Sequence, residues 1–313
     1  MLKRKSHKID SSIGNAYSFL SLAIIVCVCL FIILTTIYFG RQAISLHFLS
    51  TEPNPSALDA ASGGILTPMI GTILLTLIGI MIAVPFALAT AIYLRFYSKK
   101  GIFLSLVKSA VNILSGIPTV VVALFALVIF TQPMFAFLSA KIEGVEGSNM
   151  AYGKSFLVAG VTMAIMILPF VIKSMEEVLK TVPESYIHGS LALGATKWQT
   201  ISKVVLPSAR SGIATGIILG MGRIVGDTAI VWLTLGGTLR MTGNQPWYLP
   251  GNFWSTLVNT GSTLTTYIYY TSPAGEGNSL EVAFGAAIVL IAIIILLNLA
   301  ATFIAGIGEL KHE

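Results

Sequence analysis

Charge is scarce in this 313-residue chain: 10% of residues are charged against 55% apolar, and the mean hydropathy is +0.86. That balance leaves no room for a large soluble domain beside the apolar segments and describes a polytopic membrane protein. The net charge of +6 does not point to nucleic acid, because the basic residues are scattered at the ends of apolar runs rather than gathered on one surface. Cysteine is nearly absent. Cys27 and Cys29 lie two apart in one apolar run, on different faces of a helix, with no His or carboxylate nearby, so buried or lipid-facing thiols are expected and no metal site. The four histidines, His7, His47, His188 and His312, all lie outside the apolar core, so no span offers a base beside a nucleophile, which argues against an embedded enzyme. A phosphate-binding P-loop is missing too. Gly153-Lys154-Ser155 is the tempting string, but the glycine that should stand five positions earlier is Ser148, Gly147 is one residue too far, and no strand precedes it. Neither a cofactor nor a nucleotide site of the chain's own is expected.

What the chain has is long apolar runs. The first, about 16–38, follows Lys3, Arg4, Lys5 and Lys8; it is too long for a signal peptide and lacks a small-residue cleavage site, so it is expected to stay in the membrane. The second, 66–94, contains Pro68 and Pro85 and at about 1.5 Å per residue exceeds the roughly 30 Å hydrocarbon core, so it must tilt, kink at Pro85 or begin outside the lipid. The third, about 111–130, carries Gly116-Ile117-Pro118-Thr119, where proline frees a carbonyl that Thr119, water or a neighbouring helix must meet; such a break lines a cavity more often than lipid. The fourth, fifth and sixth are placed at about 156–172, 212–235 and 282–304. The fold class is therefore all-α, with six transmembrane helices. With the N-terminus inside, fourteen of the nineteen basic residues fall on the cytoplasmic side, Arg41, Lys141, Lys154 and Arg240 fall outside, and Arg223 lies within a span. Both termini are thus expected in the cytoplasm. The outer loop 236–281, with Trp247, Tyr248, Trp254, Tyr267, Tyr269 and Tyr270, is expected to be an interfacial aromatic belt rather than a docking surface.

Between the fourth and fifth runs lies a polar insert, TVPESYIHGSLALGATKWQTISKVVLP, from Thr181 to Pro207. Thr181 as N-cap, Pro183 in the first turn and Glu184 at N3 predict a capped helix running to about Leu193. Gly194 supplies a left-handed stop, and Thr196 with Gln199 predicts a second capping box, whose helix should end at Leu206 before Pro207. Two short helices then make a rigid elbow outside the membrane, with Tyr186, Ile187, Leu191, Trp198, Ile201 and Val205 as apolar contacts. An amphipathic hairpin on the lipid headgroups is the plainer alternative. The order Glu184, Gly194-Ala195, Ile201 and Leu206-Pro207 resembles the EAA loop of ABC importer permeases, although Ser185 and Tyr186 replace its two alanines. That resemblance implies a coupling element, spanning about 176–210, that docks into a cytoplasmic ATPase through Glu184, Gly194, Ala195, Trp198, Leu206 and Pro207.

The fifth run contains Gly222-Arg223-Ile224-Val225-Gly226-Asp227-Thr228. Arg223 and Asp227 at i and i+4 should share one helix face, and a charged residue at the bilayer centre costs about 2.5 to 3.5 kcal/mol on insertion scales, so each should face a partner or water. A self-neutralising pair that merely tolerates the membrane is one possibility. The other is an anion path in which the planar guanidinium meets an oxyanion and Asp227 holds it or takes part in gating. The string is similar to the RAxGET motif of the membrane subunits of the bacterial high-affinity phosphate importer, with Asp227 where the motif carries Glu. The likeness also covers Gly64-Ile65, Gly71-Thr72, the run from Ala91 to Leu94, Gly116 to Thr119 and Gly194 to Thr200, and so extends over about 63–305. The Gly194–Thr200 run and the ending from Leu296 to Ala300 make it more like the A-type than the C-type subunit. The resemblance implies a type I ABC importer permease fold over 16–305 with a cytoplasmic segment 1–15 and a tail 306–313. It also implies an anion path or gate at Arg223, Asp227, Thr228, Pro118 and Thr119. The implied partners are a second homologous permease in a heterodimer, a pair of cytoplasmic ATPase subunits, an extracytoplasmic phosphate-binding protein, and the lipid of the bacterial inner membrane. A permease half for sulfate, molybdate or phosphonate, and a membrane-embedded sensor or scaffold, remain alternatives.

Overall fold

The computed structural model describes residues 2–54, 63–98, 101–140, 152–275, 277 and 279–307. Lys99, Lys100, Lys141, Gly147, Ser148 and the tail from 308 onward lie outside them. The described residues form helices α1 (Leu2–Gly40), α2 (Leu46–Ser50), α3 (Leu66–Ile92), α4 (Ile102–Gly116), α5 (Thr119–Phe130), α6 (Phe156–Thr181), α7 (Glu184–Ala192), α8 (Lys197–Thr200), α9 (Leu206–Gly226), α10 (Ala229–Thr234), α11 (Phe253–Val258), α12 (Leu264–Thr271) and α13 (Leu280–Ile307). Five stretches, 14–40, 66–97, 156–181, 197–226 and 280–303, are long and apolar enough to cross a membrane. The candidate sixth crossing carries the break expected within 111–130 but begins earlier, at Ile102. It is α4 followed by α5, bent by 102° at Ile117-Pro118, because Ile117 before the proline is forced extended (φ −74°, ψ 129°).

The fourth and fifth runs also differ from their expected limits. Helix α6 continues past 172 to Thr181, whose hydroxyl donates back to the Val178 carbonyl at 2.8 Å. Helix does not stop at Leu206 either. Ile201–Val205 form a π turn joining α8 to α9, in which the Leu206 amide reaches Ile201 O. Proline's ring ordinarily collides with the carbonyl four residues back, and the widened turn just before Pro207 relieves that collision. At its far end α9 stops at Gly226, Asp227 turns extended (φ −83°, ψ 125°), and α10 starts two residues on.

α6 is the central helix, with α3, α9, α10, α4 and α5 packed around it. Lipid tails are as apolar as leucine, so helices associate here through close van der Waals contact rather than expulsion of water. Gly160 permits a close approach of α6 to α3, since a Cβ there would collide with the Ile78 side chain. Leu75, Met163, Ile167, Met175, Leu179 and Ile224 fill the interior at 0–1% exposure. Buried threonines would be costly in this setting, but Thr72, Thr76, Thr162 and Thr234 each donate to the carbonyl four residues back, at 2.6–2.8 Å. Thr72 Oγ1 also accepts from the Leu264 amide at 2.9 Å, which fastens the loop 236–281 to α3. That loop is therefore more than an aromatic belt: Leu264 and Tyr267 are buried, while Tyr248, Phe253 and Trp254 stay exposed. α1 lies at the periphery, stacked on α13 through Phe39 and Phe284 at 5.4 Å, and both of its cysteines are exposed. Gly153 and Ser155 serve the N-terminus of α6: Gly153 is left-handed (φ +71°) and Ser155 Oγ accepts from the Val158 amide at 3.0 Å.

Candidate functional site

Two chain breaks come together on one open side of the bundle. One is Ile117-Pro118, between α4 and α5; the other is Asp227-Thr228, between α9 and α10. α10 packs against α5, which places Thr119 at the start of α5 near the Asp227 carboxylate. Asp227 Oδ1 accepts from the Ile230 amide at 2.8 Å. The three-residue reach back to a helical amide is the geometry of an N-cap, so Asp227 opens α10 while ending α9. The Thr265 hydroxyl of α12 donates to Asp227 O at 3.5 Å, and Thr228 lines a cavity of about 680 Å³ with Trp232, Thr265 and Tyr269.

α9 ends at Gly226 with Asp227 as its C-cap, and Arg223 and Asp227 lie close enough for their charges to interact without forming a salt bridge. Among the described residues Arg223 makes no ion pair. Its guanidinium instead lies over the Phe170 ring of α6, 5.9 Å from the centroid, and it is exposed on the surface of the single chain. Stacking on an aromatic face holds the planar cation while leaving its donors free, which an ion pair would not. One turn further along α6, Lys173 Nζ donates to Ser115 Oγ at 3.0 Å, just ahead of the α4–α5 break. Phe170 and Lys173 were not anticipated from the sequence. Their spacing of three beside Pro169 was the available signal, hidden because Lys173 also serves as one of the basic residues that set topology.

At the other end of α9 the elbow takes shape. Gly194 is left-handed (φ +84°) with open space around it, and the Thr196–Gln199 capping box forms at 2.8 and 3.3 Å. The capping box expected at Thr181 and Glu184 does not form. Thr181 belongs to α6, Pro183 occupies the N-cap position of α7, and Glu184 pairs with Arg95 at 3.5 Å. Ser190 and Thr200 join the two arms through their hydroxyls at 3.0 Å, and Lys197 lies 4.8 Å from the Tyr97 ring centroid. Ile201 and Val205 are buried and Ile187 half-buried, whereas Tyr186, Leu191 and Trp198 are exposed together with Leu193, at 91%. Ala195 closes the turn by donating from its amide to Ser190 O at 3.2 Å. Leu206 and Pro207 lie beyond the π turn, so the elbow runs without a break into the helix that carries Arg223, about 38 Å away at 1.5 Å per residue.

The family described as binding-protein-dependent transport system inner membrane component matches residues 76–309. The chain belongs to that family. It is similar to the phosphate transport system permease protein PstC of Xylella fastidiosa, at 32% identity over 67% of this chain and 67% of that one. It is also similar to the phosphate transport system permease protein PstA 1 of Mycobacterium tuberculosis, at 28% identity over 98% of this chain and 91% of that one. The fold matches a chain of a bacterial alginate ABC transporter crystallised with an alginate-bound periplasmic protein, with TM-score 0.60 at 18% identity and 91% of both chains covered. A chain of the inward-facing MetNI methionine ABC transporter superposes with TM-score 0.55 at 19% identity, over 76% of this chain and 93% of that one. The fold is thus that of a type I ABC importer permease, and the chain is a multi-pass inner-membrane component of a binding-protein-dependent transport system.

Proposed function

We propose that this permease forms half of the translocation pathway of an ATP-driven inorganic phosphate importer. The observation that carries the proposal is Arg223: a permanent cation beside two facing helix breaks, oriented by Phe170 and without an ion-pair partner among the described residues. A guanidinium offers a fork that matches a phosphoryl oxyanion. Lys173 adds a second positive charge on the adjoining helix. The relatives named as phosphate transport permeases, of both PstA and PstC type, support phosphate as the anion. The far-reaching PstA 1 match and the Gly194–Thr200 run favour the A-type assignment.

In this scheme the N-terminus and the elbow face the cytoplasm. A separate ATPase pair grips the exposed crest of Tyr186, Leu191, Leu193 and Trp198. Closure of that pair moves the elbow, and α9 carries the motion to Arg223, opening the site alternately to either side. A second permease covers the open face of Arg223 and completes the path, and an extracytoplasmic binding protein delivers the anion. Thr119, Asp227, Thr228 and Pro118 keep the breaks in place.

The test is uptake in a strain lacking this chain, measured per assembled complex. Wild type should restore phosphate uptake, and Arg223→Lys, which keeps charge but loses the fork, should lower it roughly tenfold, the worth of about one charge-assisted hydrogen bond. Restored uptake of sulfate, molybdate or phosphonate instead would change the anion. Substantial phosphate uptake by the double variant Arg223→Leu, Asp227→Leu would remove Arg223 from the path.

A further inference from the structure

α9 and α13 leave a groove between them that no side chain of the described residues fills. It is a cavity of about 410 Å³ lined by Arg210, Ile213, Ile217 and Met221 of α9 and by Leu297 and Ala300 of α13, among other apolar residues. Among the described residues Arg210 is the one polar residue lining it, and no carboxylate pairs with it. Alanines on α13, rather than larger side chains, leave the furrow open.

The dimensions narrow what belongs there. Positions 210, 213, 217 and 221 follow one face of α9, and at 1.5 Å per residue they cover about 16 Å. That is about half of the roughly 30 Å hydrocarbon core, the depth of a single leaflet. Arg210 lies in the first turn after Pro207, at the end where the elbow leaves the membrane, so its guanidinium sits at headgroup level while Met221 marks the midplane. A free phosphate ion would meet the cation and gain nothing from the apolar stripe. A protein segment would have to bring its own anion to Arg210. A phospholipid supplies both parts, a phosphodiester for the fork and a chain of leaflet length for the groove.

We propose that this groove seats one acyl chain of an anionic phospholipid from the elbow-side leaflet, with its phosphate on Arg210. The occupant would lie against the helix that joins the elbow to Arg223, and its presence would tune how freely that helix moves. The proposal rests on the chain crossing the membrane and is independent of which anion is transported.

The full-length protein, purified in mild detergent with whatever partners accompany it, can be incubated with phosphatidylglycerol or phosphatidylcholine and weighed by native mass spectrometry. Wild type should retain phosphatidylglycerol about fivefold better, the weight of one basic residue at an anionic surface. Arg210→Gln should lose that preference and still retain lipid, Arg210→Lys should keep it, and Ala300→Trp, which fills the furrow, should retain neither lipid. If Ala300→Trp does not assemble, the two Arg210 variants decide. Equal retention of both lipids by wild type, an unchanged preference in Arg210→Gln, or displacement of bound lipid by excess inorganic phosphate would each overturn the proposal. So would failure of a lipid-soluble maleimide to reach Ala300→Cys in the assembled complex, which would mean that a partner protein covers the groove.

Discussion

Asp227 offers the sharpest separation of charge from structure. Its carboxylate accepts from the Ile230 amide at 2.8 Å and lies near Thr119 of α5, at the junction of the two breaks. Asparagine presents the same acceptor at the same reach and caps helices as well as aspartate does. Asp227→Asn should therefore assemble, melt with the wild type and transport phosphate within about threefold of it. Losing a negative charge near an anion path should not raise the KM for phosphate, because the anion is repelled less. Asp227→Ala removes the acceptor and leaves the Ile230 amide without it. The lost cap costs about 1 kcal/mol. For a chain of this size that lowers the melting temperature by roughly 2 °C. The assay is uptake per assembled complex beside a detergent melting curve followed by size-exclusion fluorescence. An Asp227→Asn protein that melts like wild type yet transports no better than Asp227→Ala would refute the capping role and assign the function of Asp227 to its charge.

Gly194→Val should insert and fold, because space around the residue is open, but a β-branched residue at φ +84° is strained by more than the 1–2 kcal/mol typical of a left-handed residue; ATP hydrolysis that continues without uptake is the expected phenotype. Leu193→Asp, at the most exposed elbow position, should abolish co-purification of the ATPase with no change in the permease's own melting curve. A cysteine at His188 should react with an impermeant maleimide only from the cytoplasmic side and one at Tyr248 only from the outer side, both positions being exposed; reaction of both from one side would invert or break the six-crossing topology.

How much of this was legible in the sequence depended on whether the cause was local. The Gly194 turn and the Thr196–Gln199 box are decided within six residues, and both stand as the sequence implies. Thr181 and Glu184 have the same spacing, but α6 is buried at Met175 and Leu179 and extends far enough to claim Thr181 as its last residue, so its hydroxyl turns back to Val178. Pro118 announced a break and the structure supplies one, sharper than a kink. Asp227 announced nothing. Gly222 to Thr228 contains no proline, and the helix stops there in a place where Thr119, remote in sequence, lies near the carboxylate. Lys173 and Phe170 escaped notice for a related reason, since only the packing of α4 and α9 on α6 gives them Ser115 and Arg223 as neighbours.

The widened turn at Ile201–Val205 has a consequence for which residues of this helix are dispensable. Each residue of a regular α-helix rotates the chain by about 100°. A turn whose amide reaches back five residues instead of four absorbs one surplus residue locally, so the azimuth between Trp198 and Arg223 is that of a helix one residue shorter. A helical wheel drawn straight through from Trp198 to Arg223 is consequently out of phase by one position. Deleting Val204 together with Pro207→Ala should let the turn close into ordinary helix and leave the handle and the far end in their original alignment. Deleting Thr215, in the regular stretch, should instead swing one end about 100° against the other and disconnect them, although it removes only a small exposed side chain.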